Sequence, residues 1–246
     1  MINSSNSSAK KTIAFFYDTY INYNNPILEM KIIEIFRKNG FNVILPPQQS
    51  SGLPAILDGR PDIGRKIAKF NVSSLVQYAD KGISIVSFSP SATLSLKLEY
   101  LNVYDTIDTR LVSDNTYDIP EFLYNLHRSG ELNLDLSPIN KEIYLHRHCH
   151  NFALRTENYS ADLLQLIPAL KINILEKGCC GIGGTFGFVK KGHDQSMAVG
   201  KSLFEIISNS NIEVYTTGES CMLQLNQGSG KKIGITLDLL SDSYLI

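Results

Sequence analysis

Ile172-Asn173-Ile174-Leu175-Glu176-Lys177-Gly178-Cys179-Cys180-Gly181-Ile182-Gly183-Gly184-Thr185-Phe186 reads as a short apolar strand running into a glycine-rich turn. The chain resumes as a helix from about His193 to Ser208 and then as a strand over Ile212 to Tyr215. Upstream of this unit, Glu142 to His146 reads as strand and Ser160 to Ile167 as helix. Downstream, Cys221 opens a helical stretch and Thr236 to Tyr244 is a closing helix. The first half has the same order. Thr12 to Tyr17 is a strand, and Asn24-Asn25-Pro26 caps a helix that stops at Gly40. Phe41 to Leu45 follows as strand, Pro46 to Gly59 as loop, and Pro61 to Asp80 as a helix with Ile63, Ile67, Phe70 and Leu75 on one face. Ile83 to Phe88 is a third strand, before a short helix from about Ala92. Strands separated by helices imply an α/β protein with parallel sheets and right-handed crossovers.

Composition narrows the function. The 43% apolar content supports real cores, and 19% charged residues argue against disorder. A net charge of −1 gives no electrostatic case for nucleic acid or an anionic membrane surface. No run approaches the roughly 18 apolar residues of a spanning helix, and the start is not a signal peptide. Residues 1–10, with Met1-Ile2-Asn3-Ser4-Ser5-Asn6-Ser7-Ser8, read as a disordered polar tail. Four cysteines without a secretion signal read as ligands or reactive thiols sooner than as structural disulfides. The expected compartment is the cytoplasm, with the inner face of the membrane reached through partners.

The cysteines form a frame. Cys149, the Cys179-Cys180 pair and Cys221 each follow the carboxyl end of an expected strand, the edge at which parallel sheets build ligand crevices. A second copy lacks every thiol: Ala92, Ser51 and Ser50 precede Cys221, Cys180 and Cys179 by 129 positions, and Thr19 precedes Cys149 by 130. The chain is therefore read as an internal duplication in which the second half keeps its metal chemistry. Four thiolates suit an iron–sulfur cluster or tetrahedral zinc. Inert buried cysteines and a Cys179–Cys180 redox disulfide are further readings of the same residues. Neighbouring thiols point poorly at one ion, which favours the cluster.

Gly181, Gly183 and Gly184 do not make a dinucleotide fingerprint, whose third glycine would fall at Phe186. Gly228-Ser229-Gly230-Lys231-Lys232 is not a phosphate loop, because no Ser or Thr follows Lys231. Glycines let backbone N–H groups approach sulfide and thiolate, so Gly181, Gly183, Gly184 and Thr185 are candidate cofactor contacts. His146, His148 and His150 would share one face at strand spacing, opposite Cys149 and Arg147.

These residues resemble the cysteine-rich CCG-domain family, which includes subunits of heterodisulfide reductase, anaerobic glycerol-3-phosphate dehydrogenase and lactate utilisation. The resemblance spans about residues 11–246. It is carried by Cys179-Cys180-Gly181 through Gly187, Ser196-Met197 and Gly200, with Leu145-His146-Arg147-His148-Cys149-His150 and Cys221-Met222-Leu223-Gln224-Leu225 in support. Tyr20-Ile21-Asn22-Tyr23-Asn24-Asn25-Pro26 looks most like the glycerol-phosphate subunit.

The resemblance implies two pseudo-twofold-related CCG domains, each a mainly parallel sheet flanked by helices. They would be a degenerate domain over 11–104 and a metal-bearing one over 141–246, joined by 105–140 with a helix near Pro120 to Leu126. It implies an iron–sulfur subunit that passes electrons from an FAD-dependent dehydrogenase to a quinone, or a thiol-disulfide reductase acting on a non-cubane cluster. Cys149, Cys179, Cys180 and Cys221 are the implied ligands. The fullest family pattern ends in a CxxC pair, but Gly218 stands at its first place, so a four-thiolate 4Fe-4S cluster or zinc is expected over the five-ligand form. Thr19, Ser50, Ser51 and Ala92 offer no thiolates, and the first site is expected to hold no metal. The ferredoxin segment of the glycerol-phosphate subunit is not in this sequence. Further clusters are therefore expected on ferredoxin-type partner subunits, and substrate oxidation on a flavin-bearing one.

Overall fold

The computed structural model describes residues 11–176 and 178–246. The polar stretch 1–10, read as a tail, lies outside them. Among the described residues eight strands form two four-stranded sheets. The first contains β1 (Lys11–Phe16), β2 (Phe41–Ile44), β3 (Ser84–Ser87) and β4 (Thr116–Asp118) in the order β2-β1-β3-β4. The second contains β5 (Lys141–His146), β6 (Leu170–Ile174), β7 (Glu213–Thr216) and β8 (Ile233–Ile235) in the order β6-β5-β7-β8. Every strand pair is parallel. Ile13, Ala14, Phe15 and Phe16 of β1 are all fully buried, the continuous apolar run expected of a parallel strand covered on both faces.

The duplication extends to register. Ile13 pairs with Val43 and Ser84, and Ile143 pairs with Ile172 and Glu213. The second set follows the first by 130, 129 and 129 positions, the offsets of the cysteine frame. The two halves are thus the same sheet built twice.

The expected strands and helices form, with their ends shifted by a few residues. In helix Pro26–Lys38, the Asn25 side chain accepts a hydrogen bond from Leu28 N at 3.2 Å and Pro26 sits in the first turn. Gly40 ends it at φ +81, a conformation that costs other residues more. Leu28, Ile32, Ile35 and Phe36 give this helix its buried stripe. Each buried side chain stabilises by about 1.5–3 kcal/mol.

Helix Pro61–Ala79 departs from expectation. Its buried face is Gly64, Ala68, Asn71, Val72, Leu75 and Ala79, whereas Phe70 is 41% exposed. A Cβ on Gly64 would lie 2.4 Å from Ile56 Cγ1. Small residues therefore set this face, because the helix rests against the short helix Leu53–Leu57, which lies in a stretch read as loop. The three-residue strands β4 and β8 have no counterpart among the expected elements. β4 lies within the stretch read as a connection and closes the first sheet against β3.

The principal core joins the two halves. It combines Ile13, Phe15, Ile32 and Phe36 with Ile119 and Leu123, and with Leu163, Leu164, Leu237 and Leu240. Helix Ile119–Arg128, which follows β4, packs on helix Tyr159–Leu164 of the second half. Helix Thr236–Ser243, which follows β8, packs on Pro26–Lys38 of the first. A Lys31–Asp238 ion pair at 2.9 Å and a Lys38 Nζ to Tyr244 carbonyl bond at 2.6 Å fasten this second crossing. Among the described residues, no helix is long and apolar enough to cross a membrane.

Candidate metal centre

Three loops at the carboxyl ends of β5, β6 and β7 carry the cysteines. Cys149 begins helix Cys149–Leu154, Cys179 and Cys180 lie in the loop after β6, and Cys221 sits in the first turn of helix Glu219–Ser229. All four line one cavity of about 90 Å³, with His146, Arg147, Phe152 and Gly178. Cys180 Sγ stands 3.1 Å from Cys221 Sγ, and the N–H of Gly181 donates to Cys179 Sγ at 3.4 Å. Cys180 and Cys221 are buried, Cys149 and Cys179 are exposed, and all four are free thiols.

Backbone proximity explains the CCG sequence. Gly181 has φ +90, and a Cβ there would stand 2.1 Å from the carbonyl oxygen of Ser196. A Cβ on Gly200 would stand 2.4 Å from the carbonyl oxygen of Cys180. The cysteine loop therefore lies directly on helix Lys190–Ser208, where side chains at 181 and 200 would hold the two apart. Of the glycine-loop residues singled out above, Gly181 alone bonds a cysteine sulfur among the hydrogen bonds of the described residues. Gly183 shapes the turn at φ +58, while Gly184 and Thr185 face a different cavity. Thr185 Oγ1 instead donates to the Asp58 carboxylate at 3.1 Å.

The three histidines do not share a strand face, because β5 ends at His146 and His148 caps the next helix. His148 Nδ1 accepts from His150 N at 3.0 Å, and its Nε2 meets Ser220 Oγ at 3.3 Å. His148 Nδ1 also lies 3.8 Å from Cys149 Sγ. His146 Nδ1 bonds Thr216 Oγ1 at 2.9 Å, while its buried Nε2 has no partner. A Cβ on Gly218 would fall 2.2 Å from His148 Cδ2. The His148 ring thus fills the room that a side chain at 218 would need.

Electrostatics divide the thiols. Hydrogen bonding from Cys149 and then Cys180 holds Cys179 far below the usual thiol range. Cys221 is lowered by its bond from Cys180, against the opposing effect of burial. Cys149 is raised by its bond to Cys179, and Cys180 by its bonds to Cys179 and Cys221. Each lowered thiol thus accepts a hydrogen bond from a raised one. Burial opposes a charge on His148, but the charge and hydrogen bond of Cys221, with Glu219 and Cys179, together raise the imidazole above its ordinary value. Burial, then His148, push His150 down to about 4.

One supporting network was invisible in the sequence. Asn151 Nδ2 donates to Asp118 Oδ2 at 3.1 Å, and Thr217 Oγ1 donates to Asn151 Oδ1 at 2.7 Å. His148 N in turn donates to Thr217 Oγ1 at 2.9 Å. The end of β4 in the first half is thereby tied to the cysteine rim of the second. Burial, aided by Glu121, pushes Asp118 up to about 8.

Four thiols around one cavity, which His146 also lines, are the donor chemistry that an iron–sulfur cluster or zinc takes. The sulfurs are gathered but not closed on a point. Among the described residues, no three His, Cys, Asp or Glu side chains stand in the arrangement of a single-ion site.

Residues 143–226 match the family model described as a cysteine-rich domain, CCG. The second half carries the CCG match. The match covers all four cysteines of the second half and the strands that carry them. The chain is 30% identical over 237 residues to the C subunit of the anaerobic glycerol-3-phosphate dehydrogenase of Escherichia coli K12, covering 95% of the chain and 59% of that relative. It is 28% identical over 246 residues to the B subunit of the fumarate reductase (CoM/CoB) of Methanothermobacter marburgensis, covering 94% of the chain and 46% of that relative. Lactate utilization protein A of Shouchella clausii is 25% identical over 161 residues, 63% of the chain and 65% of that protein. The chain therefore spans about half the length of the first two relatives.

Proposed function

We propose that this chain is an iron–sulfur electron-transfer subunit of an oxidoreductase complex, with Cys149, Cys179, Cys180 and Cys221 as ligands. The observation that carries the reading is the convergence of four free thiols from three loops on one cavity. Relatives named as subunits of a glycerol-3-phosphate dehydrogenase and a fumarate reductase support it. A bound 4Fe-4S cluster supplies one-electron transfer. The chain's part is to hold it. Cys180 and Cys221 anchor it from the buried side, the Gly181 N–H and the His148 ring set the polarity around it, and Cys149 and Cys179 form its solvent edge. Gly218, closed over by His148, favours four thiolates over a five-ligand form.

In this reading the first half is a degenerate CCG domain that serves as scaffold. Substrate oxidation belongs to an FAD-dependent partner, further clusters to ferredoxin-type subunits, and membrane contact to partners. Zinc is the second reading, because four thiols in one site also suit a structural zinc. Iron, zinc and acid-labile sulfide measured on anaerobically purified protein, with EPR on the same sample, test both. Roughly equal iron and sulfide with a cluster signal is the expected result. One zinc per chain without sulfide would withdraw the redox reading.

A further inference from the structure

The position of the lost cysteine frame is not filled in. Thr19, Ser50 and Ser51 line a cavity of about 370 Å³, and Ala92 is fully buried nearby in the first-half core. The second half supplies the opposite wall through Gly184, Thr185, Phe188, Glu219, Ser220 and Leu223. Its size falls within the roughly 300–1,000 Å³ of small-molecule sites. Leu53, Leu57, Phe188 and Leu223 give it an apolar side.

The charged groups of this cavity are the two carboxyls of Asp18 and Glu219, set among hydroxyls such as those of Thr19, Tyr20, Ser50 and Ser91 that both donate and accept. Asp18 sits at φ +52, a region that non-glycine residues rarely adopt, with its Oδ1 accepting from Ser51 N at 2.9 Å and from Thr19 Oγ1 at 3.2 Å. Glu219 Oε1 accepts from Ser89 Oγ at 2.6 Å, whereas Glu219 Oε2 is shielded from water and has no partner. No lysine, arginine or histidine lines the space. Two carboxyl groups without a basic partner disfavour organic anions. A bound molecule must bring hydrogen-bond donors to one end and an apolar body to the other.

We infer that this cavity binds a primary alkylammonium group, with the nitrogen donating to the Asp18 carboxylate and to Glu219 Oε1 and the alkyl part against Leu57 and Leu223. The inference holds whether the cysteines carry a cluster or zinc. The group could belong to a free amine or to a lysine side chain of a partner.

Isothermal titration of the metal-loaded chain with n-butylammonium, 1-butanol and butyrate at constant ionic strength tests it. Butylammonium is expected to bind at one site per chain. Butanol should bind at least about tenfold more weakly and butyrate not detectably, since a hydrogen bond to a charged group is worth roughly a factor of ten or more. Glu219→Gln and Asp18→Asn should each weaken butylammonium by about tenfold while iron, zinc and sulfide contents stay unchanged. Leu223→Trp, which fills the apolar side, should abolish binding if either carboxamide variant fails to fold. A capped Gly-Lys-Gly peptide separates the sources: tighter binding than butylammonium indicates a partner's lysine, weaker binding a free amine. Equal affinity for butanol or butyrate, persistence of binding in all three variants, or absence of saturable butylammonium binding would overturn the assignment.

Discussion

Gly181→Ala should be one of the most damaging single-methyl additions to this protein. Two costs add. At φ +90 a Cβ crowds its own backbone, which costs about 1–2 kcal/mol. The same Cβ would stand 2.1 Å from the Ser196 carbonyl and 2.9 Å from Gly200 N, both backbone atoms of a packed helix that cannot swing aside. Forced overpacking of this kind costs about 1–3 kcal/mol. The total, about 2–5 kcal/mol, is a large share of an ordinary folding free energy of about 5–15 kcal/mol. Gly40→Ala provides the reference, because Gly40 has φ +81 and open space around its Cβ direction. It should lose about 1–2 kcal/mol, the backbone part alone. Parallel urea titrations read the difference, and metal content per chain reports whether the Cys179-Cys180 loop has been lifted off helix Lys190–Ser208. Equal losses in the two variants, with metal retained in both, would refute the account of the CCG loop as a backbone-to-backbone contact.

Asp118 makes stability pH-dependent. Its folded value of about 8 against an ordinary 3.8 means that the folded state prefers the protonated acid. This contribution is therefore intact below about pH 4 and is lost as pH rises toward 8, at up to about 1.4 kcal/mol per unit. Asp118→Asn should gain on the wild type between pH 6 and 8 in denaturant titrations, and parallel curves would rule this out. Cys179→Ser should release metal and destabilise the second half, while Ser50→Ala with Ser51→Ala should leave metal content unchanged. Metal retained in the first variant removes Cys179 from the ligand set, and metal lost in the second gives the first half a part in binding. Gly218→Ala should cost about 1–3 kcal/mol by pressing on His148, and His148→Ala in the same chain should restore most of that loss. Additive losses would mean that the two side chains do not compete for space.

Much of this architecture was legible because the sequence repeats itself. The spacing of Cys149, Cys179, Cys180 and Cys221 from their thiol-free counterparts equals the register offset between the sheets, since each position hangs on the end of an equivalent strand. Asn25 and Pro26 declared a helix start by local chemistry alone. Local pattern gave no hold on β4 and β8, whose three residues are too short for a period and exist only through pairing. Phe70 misled because hydrophobicity suggests what can be buried, while the Gly64–Ala68 face shows that proximity to Leu53–Leu57 decided what was. His148 left its expected face because one backbone turn ends the strand alternation. The Asp118–Asn151–Thr217 chain and the cavity at the thiol-free frame arise from contact between the halves, which no window of neighbouring residues encodes.

The reciprocal helix crossing has a consequence for synthesis. Pro26–Lys38 leaves the ribosome early, yet its cover, Thr236–Ser243, emerges about 200 residues later. At roughly 5–20 residues per second that is a delay of about 10–40 s. During that interval part of the apolar stripe of Leu28, Ile32, Ile35 and Phe36 lacks its final neighbour. The packing of the first half is in this respect completed only by a segment from the far end of the second.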